Sequence, residues 1–502
     1  MQNITPASHD IRIFQKPGRV DAKSLEAVDQ LLLILPGKPS KAHFGKLPQG
    51  ARLQAVYRKH AAGSTPAFVT RLANKKQTLV VAGTLADDAS AFDRLSLGRR
   101  LVAEATAQKA GSLGICAVGF TGETATTIVR DMLAAALAAA FRMPSYKSDA
   151  PPDRIRTIRL IGLDDRIDTS RVEAEAKGNN LARWLTALPP NYLDADRYAE
   201  LVRTMATEHG WEFKRFRTSD LDLLGCGAFL AVAQGNEDDS ASILRLRYRP
   251  GKKSARADLS LVGKGIVFDT GGTNLKPFEF MLDMHGDMQG SAVAIGTFLA
   301  ISEMQLPIAV DCWLAITENR IGPRAYKSQD VVTAANGKTI QTIHTDAEGR
   351  MALADTLVLA SRDEPGFIID YATLTGACVR ALTKRYSGVF TNRESLHGKL
   401  TAIGTQSGER VWPFPIGKEF MEDLKSETAD FRQCSIKGVG DHILAASFLA
   451  EFIENDVPWV HIDLSSGDRK RGLGHIATSF TGFGVRYTMS AILDENLLEA
   501  QR

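Results

Sequence analysis

The run Leu259-Ser-Leu-Val-Gly-Lys-Gly-Ile-Val-Phe-Asp269 decides the fold class of this 502-residue chain. It is mostly apolar, contains a single cation, Lys264, and ends on an acid that is followed at once by Thr270-Gly-Gly. A short apolar run that stops at a glycine-rich turn is typical of a strand buried inside a sheet. A helical pattern at residues 290–303 and a second apolar run at 308–317 come next. The order strand, helix, strand predicts an α/β domain.

The same alternation extends toward the N-terminus. Apolar runs predict strands at residues 31–35, 78–82, 113–120 and 157–161, with helical patterns at 91–108 and 123–142. Two consecutive prolines at 189–190 cannot continue a helix, and a single core seldom holds 502 residues. We therefore predict two α/β domains, a smaller one at 1–165 and a larger one at 185–502 with a mixed sheet flanked by helices. A linker helix at 166–184 joins them.

Composition argues against several classes of protein. Hydrophobic residues make up 44% of the chain and charged residues 24%, as is ordinary for a folded globular protein. A net charge of +3 does not favour nucleic acid as a partner, although residues 1–60 hold ten Lys and Arg against four acids. The five cysteines form no C-x-x-C pair, no apolar run is long enough to cross a membrane, and the first residues lack a signal-peptide pattern. We expect a cytoplasmic protein that does not bind membranes.

Four acids within residues 261–350 are the strongest candidates for function. Three of them stand beside glycines or at the ends of predicted strands, where open α/β sheets bind ligands, and the set is Asp269, Asp287, Asp346 and Glu348. Four carboxylates gathered at one place repel each other, and divalent cations relieve that repulsion. Oxygen ligands suit Mg²⁺, Mn²⁺ and, less selectively, Zn²⁺. The pattern predicts a site for two metal ions, with Gly349 allowing a tight turn into the following helix.

Longer motifs surround these acids. They are Val262-Gly-Lys-Gly, Phe268-Asp-Thr-Gly-Gly, Leu275-Lys-Pro, Thr345-Asp-Ala-Glu-Gly-Arg and Ile369-Asp-Tyr-Ala-Thr-Leu-Thr-Gly-Ala. With these motifs the chain resembles the leucyl aminopeptidase family over essentially all of residues 180–480. The first 165 residues match that family only in their general α/β character.

The resemblance implies a set of ligands for two divalent ions. One ion would be held by Asp269, Asp346 and Glu348. The other would share Asp269 and Glu348 and add Asp287 and Lys264, the last as a neutral amine. The ions would be Mn²⁺ or Zn²⁺, with Mg²⁺ as a further candidate.

The resemblance also implies roles for residues that do not bind metal. Lys276 would stabilise the oxyanion, and Arg350 would hold a bicarbonate ion that acts as general base. Met284, Thr373 and Gly376 would line the pocket for the substrate side chain. A family member would release N-terminal residues from small peptides, with a preference for hydrophobic ones such as Leu or Met, and would form a homohexamer.

Some positions depart from the family pattern and leave alternatives open. His285, Gln289, His344 and Ser465 stand where the family more often has other residues, so substrate preference and metal affinity stay undecided. One alternative is an enzyme restricted to particular dipeptides, for example Cys-Gly. Another is an additional, non-enzymatic role in DNA binding through the basic N-terminal region.

Overall fold

The computed structural model describes residues 4–6, 11–61, 67–108, 111–148, 155–251 and 256–499. Residues 1–3 of the segment considered for a signal peptide lie outside the described residues. The chain divides into two compact units. The N-terminal unit runs to Ala176 and also includes Lys470–Ser479, whereas the C-terminal unit comprises the rest of the described residues from Lys177 onward together with residues 4–6. The division falls inside the segment predicted as a linker helix, residues 166–184.

A six-stranded sheet forms the centre of the N-terminal unit. Its strands are β1 (Arg12–Lys16), β2 (Gln30–Pro36), β3 (Ala67–Arg71), β4 (Leu79–Leu85), β5 (Ser112–Ala117) and β6 (Thr157–Ile161), in the order β1-β6-β5-β2-β4-β3. Neighbours are parallel except β3, which is antiparallel to β4. The helices of this unit are α1 (Ala22–Glu26), α2 (Lys41–Gly45), α3 (Gly50–Ala61), α4 (Ala91–Thr106) and α5 (Gly122–Ala140).

Burial on both faces explains the apolar sequence of β2. Leu32 and Ile34 belong to one hydrophobic core, and the alternating residues Leu31, Leu33 and Leu35 belong to a second. Successive side chains of a strand point to opposite faces of the sheet, so a core lies on each side. A strand covered on both faces needs a continuous apolar run, which is the pattern that predicted it.

The C-terminal unit is built on an eight-stranded mixed sheet. Its strands are β7 (Glu212–Arg217), β8 (Ser242–Tyr248), β9 (Leu259–Asp269), β10 (Val310–Asn319), β13 (Ile368–Ala372), β14 (Ser387–Thr391), β15 (Val411–Pro413) and β17 (Trp459–Asp463). They lie in the order β15-β14-β17-β13-β9-β10-β8-β7. A small sheet of β11 (Val331–Thr333), β12 (Thr339–Gln341) and β16 (Phe431–Arg432) accompanies it.

Helices surround this sheet, and the boundary between the two units falls in the first of them, α6 (Ser170–Ala187). The others are α7 (Ala195–His209), α8 (Thr218–Leu223), α9 (Gly227–Ala233), α10 (Phe278–Met281), α11 (Gln289–Glu303), α12 (Glu348–Arg362), α13 (Gly376–Leu382), α14 (His397–Ser407), α15 (Lys418–Met421), α16 (Asp441–Ala450) and α17 (Val485–Leu493). Short 3₁₀ turns lie at Met284–Gly286, Thr383–Arg385, Glu394–Leu396 and Glu422–Leu424. Among the described residues, no helix is long and apolar enough to cross a membrane.

Strand β9 lies in the middle of the large sheet, parallel to β10 on one side and to β13 on the other. A Cβ atom on Gly263 would lie 2.4 Å from Cα of Ser291 in α11, so glycine is required for that helix to pack this closely. The next residue, Lys264, points to the other face, where it meets Gly349 in α12. Helices therefore cover both faces, and the predicted mixed sheet flanked by helices is confirmed.

Candidate metal centre and active site

Four strands of the C-terminal unit end at the same edge of the sheet. β10, β9, β13 and β17 are adjacent and parallel to one another. Their carboxyl ends carry Asn319, Asp269, Thr373 (directly after β13) and Asp463. A row of polar residues at the carboxyl ends of parallel strands is the usual position of a ligand site in an α/β sheet.

Two further acids join Asp269 at this edge. Asp346 lies just before α12, and Glu348 is the first residue of that helix. One carboxylate oxygen from each of the three acids lies within 4.8 Å of the other two. Burial and repulsion by Glu348 and Asp287 raise the pKa of Asp269 well above its ordinary value, and burial and Glu348 raise the pKa of Asp346.

The carboxylate of Asp269 is oriented by two donors. Its Oδ1 accepts hydrogen bonds from the backbone N–H of Gly271 and from the side-chain amide of Asn319, both at 2.8 Å. The same amide nitrogen of Asn319 donates to the carbonyl of Thr345 at 3.0 Å. Asn319 therefore ties the end of β9 to the loop that leads into α12. Sequence reasoning missed this residue, although its place at the end of an apolar run was a usable signal.

Lys264, in the central strand β9, forms ion pairs with two of the acids, Asp287 and Glu348. Its Nζ lies 2.6 Å from Oδ2 of Asp287 and 2.9 Å from Oε1 of Glu348, and it donates to the carbonyl of Thr373 at 3.0 Å. Burial disfavours the ammonium, but these carboxylates outweigh it and raise the pKa of Lys264. Lys264 is thus a charged partner of the acids in this arrangement.

Gly349 makes room for that lysine. A Cβ atom at this position would lie 2.5 Å from Cε and 2.7 Å from Nζ of Lys264. Because Gly349 lies inside α12, the expectation that it provides a tight turn before the helix is wrong. Position 349 needs a glycine because the side chain of Lys264 in β9 packs directly against the first turn of α12.

Asp287 follows the 3₁₀ turn Met284–Gly286 and is buried. The hydroxyl of Thr373 donates to its Oδ1 at 2.7 Å. Burial is the main reason that the pKa of Asp287 is raised to about 6, and the ammonium of Lys264 opposes that shift. The turn and the end of β13 together hold this carboxylate next to the three others.

Lys276 bridges the outer pair of acids. Its Nζ lies 2.8 Å from Oδ2 of Asp269 and also forms an ion pair with Asp346. Its side chain is 12% exposed, so the ammonium stands between the buried acids and the open cavity. Burial opposes its charge, but Asp269, Glu348 and Asp346 outweigh burial and raise the pKa of Lys276.

Arg350 lies in the first turn of α12 and is almost fully buried. Its Nη2 lies 2.8 Å from Oδ2 of Asp441, and its Nη1 donates to the carbonyl of Gln433 at 3.2 Å. Neither partner was predicted. They come from α16 and from the loop after β16, about ninety residues away along the chain.

A cavity of about 470 Å³ is lined by all ten residues that the sequence analysis named as metal ligands, catalytic groups or lining of the substrate pocket. They are Lys264, Asp269, Lys276, Met284, Asp287, Asp346, Glu348, Arg350, Thr373 and Gly376. Apolar side chains of Phe280, Leu374, Val379 and Phe480 line other parts of the wall. The wall also holds a cation that was not expected there, Lys384, whose Nζ lies 2.7 Å from Oδ2 of Asp468.

Of the residues that depart from the family pattern, Gln289 and Ser465 line this cavity, and His285 and His344 lie close in sequence to residues that do. The hydroxyl of Ser465 donates to the carbonyl of Tyr386 at 2.8 Å, so it already has a partner inside the protein. His285 packs its ring edge-on against Phe480, with centroids 5.7 Å apart. His344 is exposed, and its Nδ1 accepts a hydrogen bond from the backbone N–H of Asp346. Gln289 is buried in the wall.

Comparison with known proteins decides the family. Residues 180–489 match the model of the cytosol aminopeptidase family, catalytic domain. A probable cytosol aminopeptidase of Synechococcus sp. (strain CC9605) is 36% identical over 440 residues, which are 85% of this chain and 88% of the relative. The chain belongs to the cytosol aminopeptidase family. As a member of this family it is an aminopeptidase, a hydrolase of peptide bonds, and the resemblance read from the motifs is confirmed.

Two solved structures share the fold of this chain over most of its length. A mutant of tomato leucine aminopeptidase superposes with a TM-score of 0.86 at 25% identity, covering 97% of this chain and 98% of the other. The bottromycin maturation enzyme BotP in complex with Mn superposes with a TM-score of 0.80 at 26% identity, covering 93% and 99%. The two-domain α/β architecture is therefore common to this chain and these enzymes.

Proposed function

We propose that this chain is a two-metal aminopeptidase that releases hydrophobic N-terminal residues, such as Leu or Met, from small peptides. The observation that carries the proposal is the group of three carboxylates within 4.8 Å of one another, at the edge where four parallel strands end. It lies in a cavity of a size that accommodates the end of a peptide.

The charge of the site fits divalent cations. Four carboxylates share it with two ammonium groups, and the pKa values of Asp269, Asp287 and Asp346 are raised in spite of those cations. Added positive charge is therefore favourable there. The donors are mainly carboxylate oxygens, which suit Mn²⁺, Zn²⁺ and Mg²⁺. The complex of BotP with Mn supports Mn²⁺ as the first candidate.

Asp269, Asp346 and Glu348 would hold one ion, and Asp269, Asp287, Glu348 and Lys264 the other. When bound, such a pair of ions polarises a peptide carbonyl and lowers the pKa of water so that it can act as a nucleophile. Lys264 has to lose its proton to join the ligands, and the present contacts favour the protonated form. Bound cations would compensate the negative charge of Asp287 and Glu348, the two ion-pair partners of Lys264, and the protonated form of the lysine would then no longer be favoured.

Lys276 is the group of this chain that would stabilise the oxyanion. It stands at the boundary between the buried acids and the cavity, and its ion pairs weaken once cations compensate Asp269 and Asp346. A positioned ammonium beside the reacting carbonyl lowers the energy of the transition state. The carbonyl of Thr373 and the neighbouring residue Gly376 border the place where the substrate's first residue would lie.

An apolar wall supports the preference for hydrophobic side chains. Met284, Phe280 and Val379 line the cavity, and methionine adapts to several aliphatic shapes. A substrate carboxylate would meet Asp283 and Asp468 in the wall, and Lys384, a cation of the same wall, is already paired with Asp468. Burying an unpaired carboxylate in such a place is costly.

Removal and return of metal test the proposal. The purified chain is stripped with a chelator and then assayed on leucine amide with Mn²⁺, Zn²⁺ or Mg²⁺ added back. We expect no turnover in the stripped protein and recovery with two equivalents of metal. Full activity without metal, or saturation at one equivalent, would contradict the two-metal part of the proposal.

The assembly and location of the protein are proposed from its resemblance to the family. We expect a homohexamer, and a cytoplasmic location in keeping with the name of the family. Light scattering on the purified chain measures the mass of the particle directly. A stable monomer at working concentrations would contradict the hexamer without affecting the chemistry of the site.

A further inference from the structure

The inference concerns the partner of Arg350, and it rests on the proposed function. Arg350 was expected to hold a bicarbonate ion, so its guanidinium should be available to a planar anion from solution. In the structure its Nη2 lies 2.8 Å from the carboxylate of Asp441, and Nη1 donates to the carbonyl of Gln433. Its Nε is buried and has no hydrogen-bond partner among the described residues. The guanidinium is thus already paired with an anion that belongs to the chain.

Asp441 is held in that position by a well-packed element. It is the first residue of α16, whose residues Leu444, Phe448 and Leu449 are buried in the core of the C-terminal unit. The next residue, His442, packs edge-on against the ring of Phe414, with centroids 4.6 Å apart. A carboxylate on a helix fixed in this way keeps its place beside Arg350.

The same carboxylate faces the active site. Asp441 and Arg350 both line the 470 Å³ cavity, together with Lys276, Asp346 and Glu348. The side chain of Asp441 is 24% exposed, whereas that of Arg350 is 2% exposed. The accessible part of this ion pair is therefore the carboxylate. A carboxylate matches bicarbonate in charge and in its planar pair of oxygens.

We propose that Asp441 supplies, from within the chain, the anion that Arg350 would otherwise take from solution, so that this enzyme works without bicarbonate. An external bicarbonate would have to share one guanidinium with Asp441, next to Glu348, and like charges so close together disfavour its binding. In this scheme the carboxylate of Asp441 takes the place of the bicarbonate ion, to which the resemblance gives the role of general base, and it faces the cavity from there. The residues at this place do not fit bicarbonate as a resident group.

Matched variants test the proposal. Asp441→Gly removes the carboxylate and leaves space beside Arg350, whereas Asp441→Asn removes the charge and keeps the size. Asp456→Asn is the control, because it neutralises an Asp paired with an Arg at 3.0 Å outside the cavity. Initial rates on leucine amide are measured in buffer freed of carbon dioxide, with and without bicarbonate, and with formate as a second carboxylate.

The wild type and the Asp456→Asn control should hydrolyse the amide at the same rate with and without bicarbonate. Asp441→Gly should be several-fold slower and should regain activity on addition of bicarbonate or formate. Asp441→Asn should also be slower, with weaker rescue because its amide fills the space. Stimulation of the wild type by bicarbonate, or a wild-type rate for Asp441→Asn, would overturn the proposal. An Asp441→Gly variant that is slow but not rescued by either anion would overturn it as well.

Binding gives a readout that does not depend on turnover. With zinc-loaded protein, the ¹³C resonance of labelled bicarbonate should broaden with Asp441→Gly but not with the wild type. The broadening should vanish in Asp441→Gly/Arg350→Ala, which shows that it comes from the guanidinium and not from the metal. If the wild type hydrolyses no amide at all, the proposed function fails. This binding comparison still decides the role of Asp441.

Discussion

Both units of the molecule place a cavity at the carboxyl ends of parallel strands, but the cavity of the C-terminal unit is lined by several buried carboxylates and that of the N-terminal unit by exposed ones. The cavity of the N-terminal unit also measures about 470 Å³ and lies beside the ends of β4 and β5. Its acids, Asp87 and Glu123, are exposed, and its cation Arg94 is paired with Asp131 at 2.7 Å. In the C-terminal unit Asp269, Asp287 and Glu348 are buried and Asp346 is half-buried, and oxygens of Asp269, Asp346 and Glu348 lie within 4.8 Å of one another. Position and volume alone therefore do not identify an active site, whereas buried carboxylates with raised pKa values do.

The largest effect should follow from loss of a shared acid. We expect Glu348→Gln to abolish turnover and to bind less than two equivalents of metal, because this carboxylate belongs to both proposed ligand sets. Its thermal unfolding should stay close to that of the wild type. Glu123→Gln, at the corresponding edge of the N-terminal sheet, is the matched control and should keep the wild-type rate. Loss of activity in Glu123→Gln would break the contrast between the two cavities.

The next effect should appear in kcat. We expect Lys276→Met to lower kcat by about 10²–10³, the usual result of removing one group that stabilises an oxyanion. Metal content, measured by elemental analysis, should not fall. Lys338→Met, which removes a half-buried lysine paired with Glu451 outside the cavity, should leave kcat unchanged. A near-normal kcat in Lys276→Met would show that Lys276 only forms ion pairs with Asp269 and Asp346 and does not stabilise the oxyanion.

A smaller effect should come from the residue that orients Asp269. We expect Asn319→Ala to weaken metal binding by roughly 10–100-fold, as is usual for partners that hold metal ligands in place. Competition with a chelating dye measures the affinity. Asn74→Ala, which removes a hydrogen bond to Thr78 in the N-terminal unit, should leave metal affinity as it is. Equal affinities in the two variants would mean that Asp269 needs no orientation by Asn319.

The smallest effect should be the difference in kcat/KM among substrates with aliphatic N-terminal residues. We expect kcat/KM to follow Leu and Met ahead of Arg, with Asp last, among amino-acid amides. Differences among aliphatic residues should be modest, since one methylene in a hydrophobic pocket is worth about 1–3 kcal/mol. An Asp- or Arg-amide as the best substrate would show that Asp468 and Lys384, and not the apolar wall, dominate recognition.

Much of the fold could be predicted because its signals are local. The apolar runs that became β2, β4 and β9 are long enough to identify buried strands, and glycine-rich turns mark where β9 ends. The separation between the two units could not be read in the same way. Lys470–Ser479 belong to the N-terminal unit although they are far from it in sequence, and no local pattern encodes such a contact.

The site shows the same limit. Its acids were found because they lie in short motifs, but their partners come from separate segments. Asn319 and Asp441 reach Asp269 and Arg350 only through tertiary packing. The charged state of Lys264 and the reason for Gly349 also depend on neighbours brought together by β9 and α12. Sequence identified the groups that carry charge, and only the folded chain shows which charges face each other.

The surroundings of the site include β17, a strand that pairs with β13 and follows the four acids in the chain. β17 ends at Asp463, whose carboxylate accepts a hydrogen bond from Thr375 at 2.7 Å and so holds the loop that follows β13. The four acids lie between residues 269 and 348 and leave the ribosome long before that strand. A growing chain therefore carries its acids for more than a hundred residues without the strand that completes their surroundings. We expect peptidase activity to appear only after β17 has been synthesised, because the loop that follows β13 lacks its hydrogen-bond partner Asp463 until then.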